Sequence, residues 1–325
     1  MPDERVQVGY QRLEAWPRIV GLCPAVILHN LTDEEGHKRS ARHMRRYAAV
    51  LLALVVSAGQ LPAQGQRLPN VAGSVKLAII GDNGTGGRPQ YEVGAQMVKS
   101  HAIFGFDTVL MLGDNMYGSQ EPDDFAKKFE QPYKRLLDAG VKFFATLGNH
   151  DNQLNRYYKP FNMGGERYYT FNKKNVRFFV LDTDSLDPKQ LAWLEDALKD
   201  STDEWKICYF HHPMYSDGGT HGSAVDLRVV LEPLFLKYGV SVVFSGHEHF
   251  YERITPQKGI YYFISGAAGQ LRRGDVVRSE FKAAAFDQDQ SFMLVEISGS
   301  DFFFQAISRQ GQVVDSGTIR RGARS

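Results

Sequence analysis

VKLAIIGDNG, residues 75–84, is the stretch on which the fold turns. Val75, Leu77, Ala78, Ile79 and Ile80 make an apolar run rich in β-branched residues, which predicts a buried strand. The run stops at Gly81 and gives way to Asp82, Asn83 and Gly84, which do not continue it. Four more apolar runs end in the same manner. Residues 108–112 lead into Gly113-Asp114-Asn115-Met116-Tyr117, and 142–147 into Gly148-Asn149-His150-Asp151. Residues 206–210 lead into His211-His212-Pro213, and 240–244 into Gly246-His247-Glu248-His249. Further strands are expected at 176–181 and 260–264, with helical periodicity between strands at 91–101, 123–138, 188–199 and 224–238. The third helix has its start marked by Asp187 as cap and Pro188 in the first turn. The alternation predicts an α/β domain. Runs at 292–297 and 302–308 flank Ser298-Gly299-Ser300-Asp301 and predict a terminal hairpin. No repeat, coiled coil or internal linker divides 75–319, so one catalytic domain is expected.

Strand-end loops of an α/β fold share one edge of the sheet, where sites are built. Any one of these loops has a bland reading, since Gly-Asp is a common turn and a lone His is usually a solvated or core residue. Their distribution argues otherwise. From Gln64 onward the histidines are His101, His150, His211, His212, His221, His247 and His249, and all except His101 fall in or just after these loops. His101 closes an amphipathic helix and reads as structural. Asp82 and Tyr117 are anionic oxygen donors when bound and suit a trivalent or strongly Lewis-acidic ion. Asn149 and paired imidazoles are neutral donors that suit a divalent ion such as Zn, Mn or Fe(II). Asp114 can bridge the two, because ions in two-metal sites lie roughly 3.5–4 Å apart. Such a pair fits phosphate ester hydrolysis, since it neutralises phosphoryl charge and acidifies bound water.

Composition narrows the partners. Lys+Arg 38 against Asp+Glu 37 leaves a net charge of +1, without the basic excess that binding a nucleic-acid backbone usually leaves, so no nucleic-acid partner is indicated; the small phosphorylated substrate expected comes from the metal-centre chemistry and not from charge. The 43% apolar share suffices for a globular core. Cys23 and Cys208 make no disulfide framework. Arg45 and Arg46 precede an apolar run at 47–58 and then Leu61-Pro62-Ala63-Gln64, the layout of a secretory signal peptide spanning 44–63. That run falls short of the ~20 residues that cross a bilayer, so no stable membrane anchor is expected and the destination is the exterior or the periplasm. The arginine pair also fits twin-arginine export. Met44 is expected to be the initiator, with 1–43 a non-native extension, 64–74 a linker and 75–325 the catalytic domain.

In this order the five loops resemble the motifs GDxG, GDxxY, GNH, VxxH and GHxH of the purple acid phosphatases, within the calcineurin-like metallophosphoesterases. The resemblance runs from about Val75 to the C-terminus and matches the small, single-domain, tartrate-resistant-like branch; Cys208 departs from the Val usual in the fourth motif. Tyr117 discriminates, because broader metallophosphoesterases begin with Asp-x-His where this chain has Gly84. The resemblance implies a four-layer α/β/β/α sandwich of mixed sheets with the metals at strand ends. It implies Fe(III) on Asp82, Asp114, Tyr117 and His249, and a divalent Fe, Zn or Mn on Asp114, Asn149, His211 and His247. It makes His150 a phosphate contact oriented by Asp151, with Asn149 also facing substrate. It makes His221 the second substrate histidine and proton donor, His212 being its rival. The reaction implied is acid-favoured hydrolysis of phosphate monoesters by a metal-bound hydroxide, and the family's purple colour is tyrosinate-to-Fe(III) charge transfer.

Two other functions fit the same motifs less well. A phosphodiesterase, nucleotidase or pyrophosphatase of the same fold would differ in leaving-group loops such as 152–167 and 266–285, outside the motifs. A non-catalytic exported metal- or phosphate-binding protein would have lost at least one ligand or substrate histidine, and every position is filled. Arg88, Arg167, Arg272 and Arg273 read as solvated, and Asp182 and Asp184 as structural.

Overall fold

The computed structural model describes residues 67–321. The expected extension 1–43, the signal peptide 44–63 and Cys23 lie outside the described residues. Strands β1 (Val75–Ile80), β2 (Thr108–Leu112) and β3 (Lys142–Thr146) run parallel side by side. The free edge of β1 pairs antiparallel with β11 (Ser291–Ser298), which continues through β12 (Asp301–Ser308) into β13 (Val313–Arg320). This gives one sheet in the order β13-β12-β11-β1-β2-β3.

The second sheet has the order β10-β8-β9-β7-β6-β5-β4. Its parallel centre is β5 (Val176–Val180), β6 (Trp205–Tyr209), β7 (Val242–Ser245) and β9 (Tyr261–Ser265). Antiparallel strands β4 (Tyr169–Lys173), β8 (Tyr251–Ile254) and β10 (Lys282–Phe286) flank it. Both sheets are therefore mixed.

Side-chain alternation along each strand separates three apolar layers. Leu77, Ile79, Leu110 and Leu112 of the first sheet meet Phe178, Val180, Ile207, Phe244 and Phe263 of the second between the sheets. Ala78, Ile80, Val109 and Met111 point the other way, onto α1 (Arg88–Phe104) and α3 (Gln131–Asp138) through Val93, Met97, Tyr133 and Leu136. Phe179, Cys208, Phe210 and Val243 pack against α4 (Pro188–Asp200) and α5 (Val225–Tyr238) through Leu194, Leu198, Leu231 and Phe235. The result is the expected α/β/β/α sandwich. Truncating a fully buried side chain in the middle layer, such as Phe178, costs about 3–5 kcal/mol.

The expected strands and helices are all present, with ends within a few residues. Asp187 caps α4 by accepting the Gln190 N–H at 2.7 Å. The helix expected at 123–138 is interrupted: the short turn α2 (Pro122–Phe125) passes through a π-helical segment, Ala126–Glu130, before α3. Strands β4, β8, β10 and β13 have no counterpart in the sequence pattern. In β13 only Ile319 is buried, so the alternation that announces a strand is missing. Within the expected linker, the N–H groups of Asn70 and Val71 both donate to the Glu296 carboxylate on β11, which docks that stretch on the sheet.

Candidate metal centre

The parallel strands of both sheets bring the loops after β1, β2, β3, β6 and β7 to one edge, and the loop side chains converge there. The backbone adopts unusual conformations to do it. Asp82, Asp114 and His247 have φ of +52°, +51° and +68°, a left-handed region that costs a non-glycine residue of the order of 1–3 kcal/mol. The loops are also in close contact: a Cβ on Gly148 would fall on the Asp114 carboxylate. Three strained residues held in one cluster mark a site that the rest of the fold stabilises.

One group of donors is acidic and buried. The Tyr117 hydroxyl lies 3.1 Å from Asp82 Oδ1 and 3.2 Å from His249 Nε2, and His249 Nε2 lies 3.3 Å from the same Asp82 oxygen. Asp82, Asp114 and His249 offer ligand atoms within 4.8 Å of one another. The other Asp82 oxygen accepts the His247 N–H at 2.8 Å, which fixes the carboxylate's orientation. Burial, and then the charge of Asp114, pushes the Asp82 carboxyl well above the usual range. Burial, followed by the charges of Asp82 and Asp114, raises the Tyr117 phenol as well. Two carboxylates and a phenol taken out of water are stabilised as anions only by a cation among them.

The second group is made of neutral donors. His211 Nδ1 lies 2.9 Å from the Leu112 carbonyl oxygen; that oxygen only accepts, so Nδ1 carries the proton and Nε2 presents a lone pair. This lone pair meets Asn149 Oδ1 at 3.0 Å, His247 Nδ1 at 3.1 Å and Asp114 Oδ1 at 3.4 Å. Asn149 Oδ1 and a carboxylate oxygen only accept, which leaves at most the His247 proton to serve four converging atoms. A single cation satisfies all four, and a backbone carbonyl fixing the tautomer is the usual second layer of such a site. Burial, then neighbouring histidines, lowers His211 well below its ordinary value and takes His247 down to about 2. His249 falls to about 3, through burial and then the charge of Arg272. All three imidazoles are therefore unprotonated at neutral pH, as a ligand must be. Asp114 belongs to both groups.

The remaining predicted residues take three different positions. His150 is exposed, with its ring 4.7 Å from that of Tyr117 and its N–H donated to Asp114 Oδ1 at 2.9 Å. His221 is exposed with its ring 4.1 Å from that of His247. His212 is half-buried, 4.5 Å from the His247 ring, and its Nδ1 is engaged by the Thr183 hydroxyl at 3.0 Å. It also shares a possible ligand group with His211 and His247. Asp151 departs from its expected role of orienting His150. Its carboxylate accepts N–H groups of Gly148, Asn115 and Met116 at 2.9–3.1 Å, so it clamps the β2 and β3 loops together. Burial, and then Asp114, raises that carboxyl to about 7.

Two arginines read as solvated are engaged. Arg167 pairs with buried Asp182 at 3.1 Å and with Asp187 at 2.7 Å, while Asp182 accepts the N–H groups of Asp184 and Ser185 in the expected structural role. Arg272 stands at the centre: its N–H donates to the His249 carbonyl at 3.0 Å, its guanidinium lies 3.9 Å from Glu248, and its charge acts on Asp82, His221 and His249. Glu248, fully buried between the two histidines of its motif, is a second residue that spacing alone did not single out. Its alternation with His247 and His249 was the available signal.

Comparison with known proteins bears on the family and the fold. The family model described as calcineurin-like phosphoesterase matches residues 75–251. Purple acid phosphatase 17 of Arabidopsis thaliana is 29% identical over 291 residues, covering 76% of this chain and 85% of the relative. Among solved structures, GAP50, described as the anchor in the inner membrane complex of Plasmodium, superposes with a TM-score of 0.67 at 17% identity, covering 78% of this chain and 90% of that one. The purple acid phosphatase PPD1 from yellow lupin superposes with a TM-score of 0.64 at 19% identity, covering 79% of this chain and 55% of that one. At these identities the structural matches speak for the fold alone.

Proposed function

Because the chain belongs to the calcineurin-like phosphoesterases, hydrolases of phosphoric ester bonds, we propose that it is an exported acid phosphatase acting on small phosphate monoesters through two metal ions. The observation that carries the reading is the sharing of Asp114 between an acidic donor group containing Tyr117 and a neutral group centred on His211. Asp82, Asp114, Tyr117 and His249 suit Fe(III), and Asp114, Asn149, His211 and His247 suit divalent Fe, Zn or Mn. When bound, the ions neutralise phosphoryl charge and make water nucleophilic near neutral pH.

The chain's own residues do the rest. In this reading exposed His150 and Asn149 orient the phosphate. Exposed His221, its ring 4.1 Å from that of His247, gives its proton to the departing alkoxide, for which a protonated imidazole and hence mildly acidic conditions are required. His212, with one nitrogen held by Thr183, is the less suitable donor. Residues 44–63 act as the export signal in this reading, with Met44 the initiator and 75–325 the catalytic domain. Among the described residues no helix is long and apolar enough to cross a membrane.

The test is metal content and visible absorption of the purified protein, alongside hydrolysis of monoester, diester and nucleotide substrates from pH 4 to 9. Iron with one further metal, a charge-transfer band and acid-favoured monoester hydrolysis are expected. Two metals without the band would remove the ferric tyrosinate, and no stoichiometric metal after reconstitution would overturn the reading.

A further inference from the structure

His221 sits on a loop between Pro213 and α5 whose tip, residues 219–221, is exposed and whose base is buried at Ser216, Asp217, Gly218 and Gly222. A proton donor on an exposed tip needs its base fixed, because an error of about 1 Å at a reacting group can cost 10²-fold in rate. Asp217 binds that base to Glu252 and to the N–H groups of residues 280–282, and one further side chain ties it to the strand end that carries His247 and His249. Glu248 Oε1 accepts the N–H of Gly222, the residue after His221, at 2.5 Å. The same oxygen lies 3.5 Å from the Ser216 hydroxyl on the other leg of the loop, and that hydroxyl accepts the Gly218 N–H at 2.9 Å. A Cβ on Gly218 would fall on the Glu248 carboxylate, so the loop lies directly on it. Glu248 itself is fully buried between His247 and His249, and Arg272 approaches its other oxygen to 3.9 Å.

We propose that Glu248 is the positioning residue for His221, holding both legs of the proton-donor loop and tying them to the strand end that carries two metal ligands. The contacts of Asp217 and Ser223 shape the loop, and the Glu248 carboxylate sets its place relative to the centre. The inference rests on the reading of His221 as proton donor, and its test separates the two.

A correctly placed acid matters for a poor leaving group and hardly at all for a good one. The measurement is therefore the ratio of kcat/KM for 2,4-dinitrophenyl phosphate to that for glycerol phosphate, with metal content determined on each variant. His221→Ala should raise the ratio by about 10²-fold or more. Glu248→Ala should raise it by at least about tenfold, and Glu248→Gln, which keeps an acceptor for the Gly222 N–H, should return it most of the way. Gly218→Ala displaces the loop from its own side without touching a ligand and should shift the ratio in the same direction. It decides the matter if Glu248→Ala loses metal. Should His221→Ala shift the ratio while Gly218→Ala and metal-replete Glu248→Ala lower both substrates equally, the role of Glu248 is overturned and the proton donor stands. An unshifted ratio in His221→Ala overturns the donor and the positioning role together.

Discussion

The two donor groups of the centre share one aspartate and differ in nearly everything else. Asp82 and His249 are buried and half-buried Tyr117 joins them in a set dominated by anionic oxygens, whereas Asn149, His211 and His247 are neutral and open towards solvent at Asn149. The acidic set is costly without a cation, since burial drives Asp82 and Tyr117 towards their protonated forms. The neutral set has no such penalty: burial leaves its imidazoles unprotonated and ready to bind. The two halves therefore suit ions of different charge, and the acidic half depends more on its ion. Fold alone would not have said so, as GAP50, described as an anchor, shares the architecture.

The largest effect should come from the residue that belongs to both halves. Asp114→Asn keeps the shape and removes the shared charge, so the loss of several kcal/mol of charge stabilisation should lower kcat/KM on the order of 10³-fold. Metal analysis should show binding weakened in both halves. Loss confined to one equivalent, or activity within tenfold of the parent, would break the claim that Asp114 is shared. Tyr117→Phe addresses the acidic half alone. It should abolish the visible band and leave the divalent equivalent bound, with a smaller fall in activity, roughly tenfold, because Asp82, Asp114 and His249 remain. A variant that keeps its colour would show that the phenol is not a ligand.

What the sequence disclosed and what it withheld follow from the range of the contacts. Asp82, Asp114, Asn149, His211 and His247 were legible because each stands immediately after an apolar run, and parallel strands carry such ends to a common edge. Asp151 was legible as a loop residue but not as a clamp, although its spacing from Gly148 already suits a carboxylate accepting that N–H at 2.9 Å. Arg272 was not legible: it comes from residues 266–275 after β9, a stretch without periodicity, and its neighbours Asp82, His221 and Glu248 are remote in the chain. Glu248 stood in plain sight inside a motif, but its main partner is the backbone N–H of Gly222, which no side-chain pattern reveals. Strand β13 was missed because half-exposed Val313, Val314 and Asp315 give no alternation.

An effect on stability rather than on activity sharpens the acidic half by supplying a buried acid that has no part in it. Glu252 on β8 is fully buried, accepts the Asp217 N–H at 3.1 Å, and leaves Oε1 without a partner. Burial raises its carboxyl to about 8, the charges of Asp217 and Glu248 add to the shift, and the Asp217 N–H and Lys282 oppose it. A carboxyl with a folded value near 8 and an ordinary unfolded value holds its proton in the native state across the interval between them. Its contribution to stability is thus fully present below the unfolded value and is lost as pH rises through about 8. Glu252→Gln removes that titration. The variant should gain on the parent as pH rises from 5 to 9, by roughly 2–4 kcal/mol at the alkaline end, read as the difference between their urea unfolding curves at each pH. A difference that does not change with pH would mean that Glu252 is charged throughout, and that burial at this end of the sandwich costs an anion less than the acidic donor group requires.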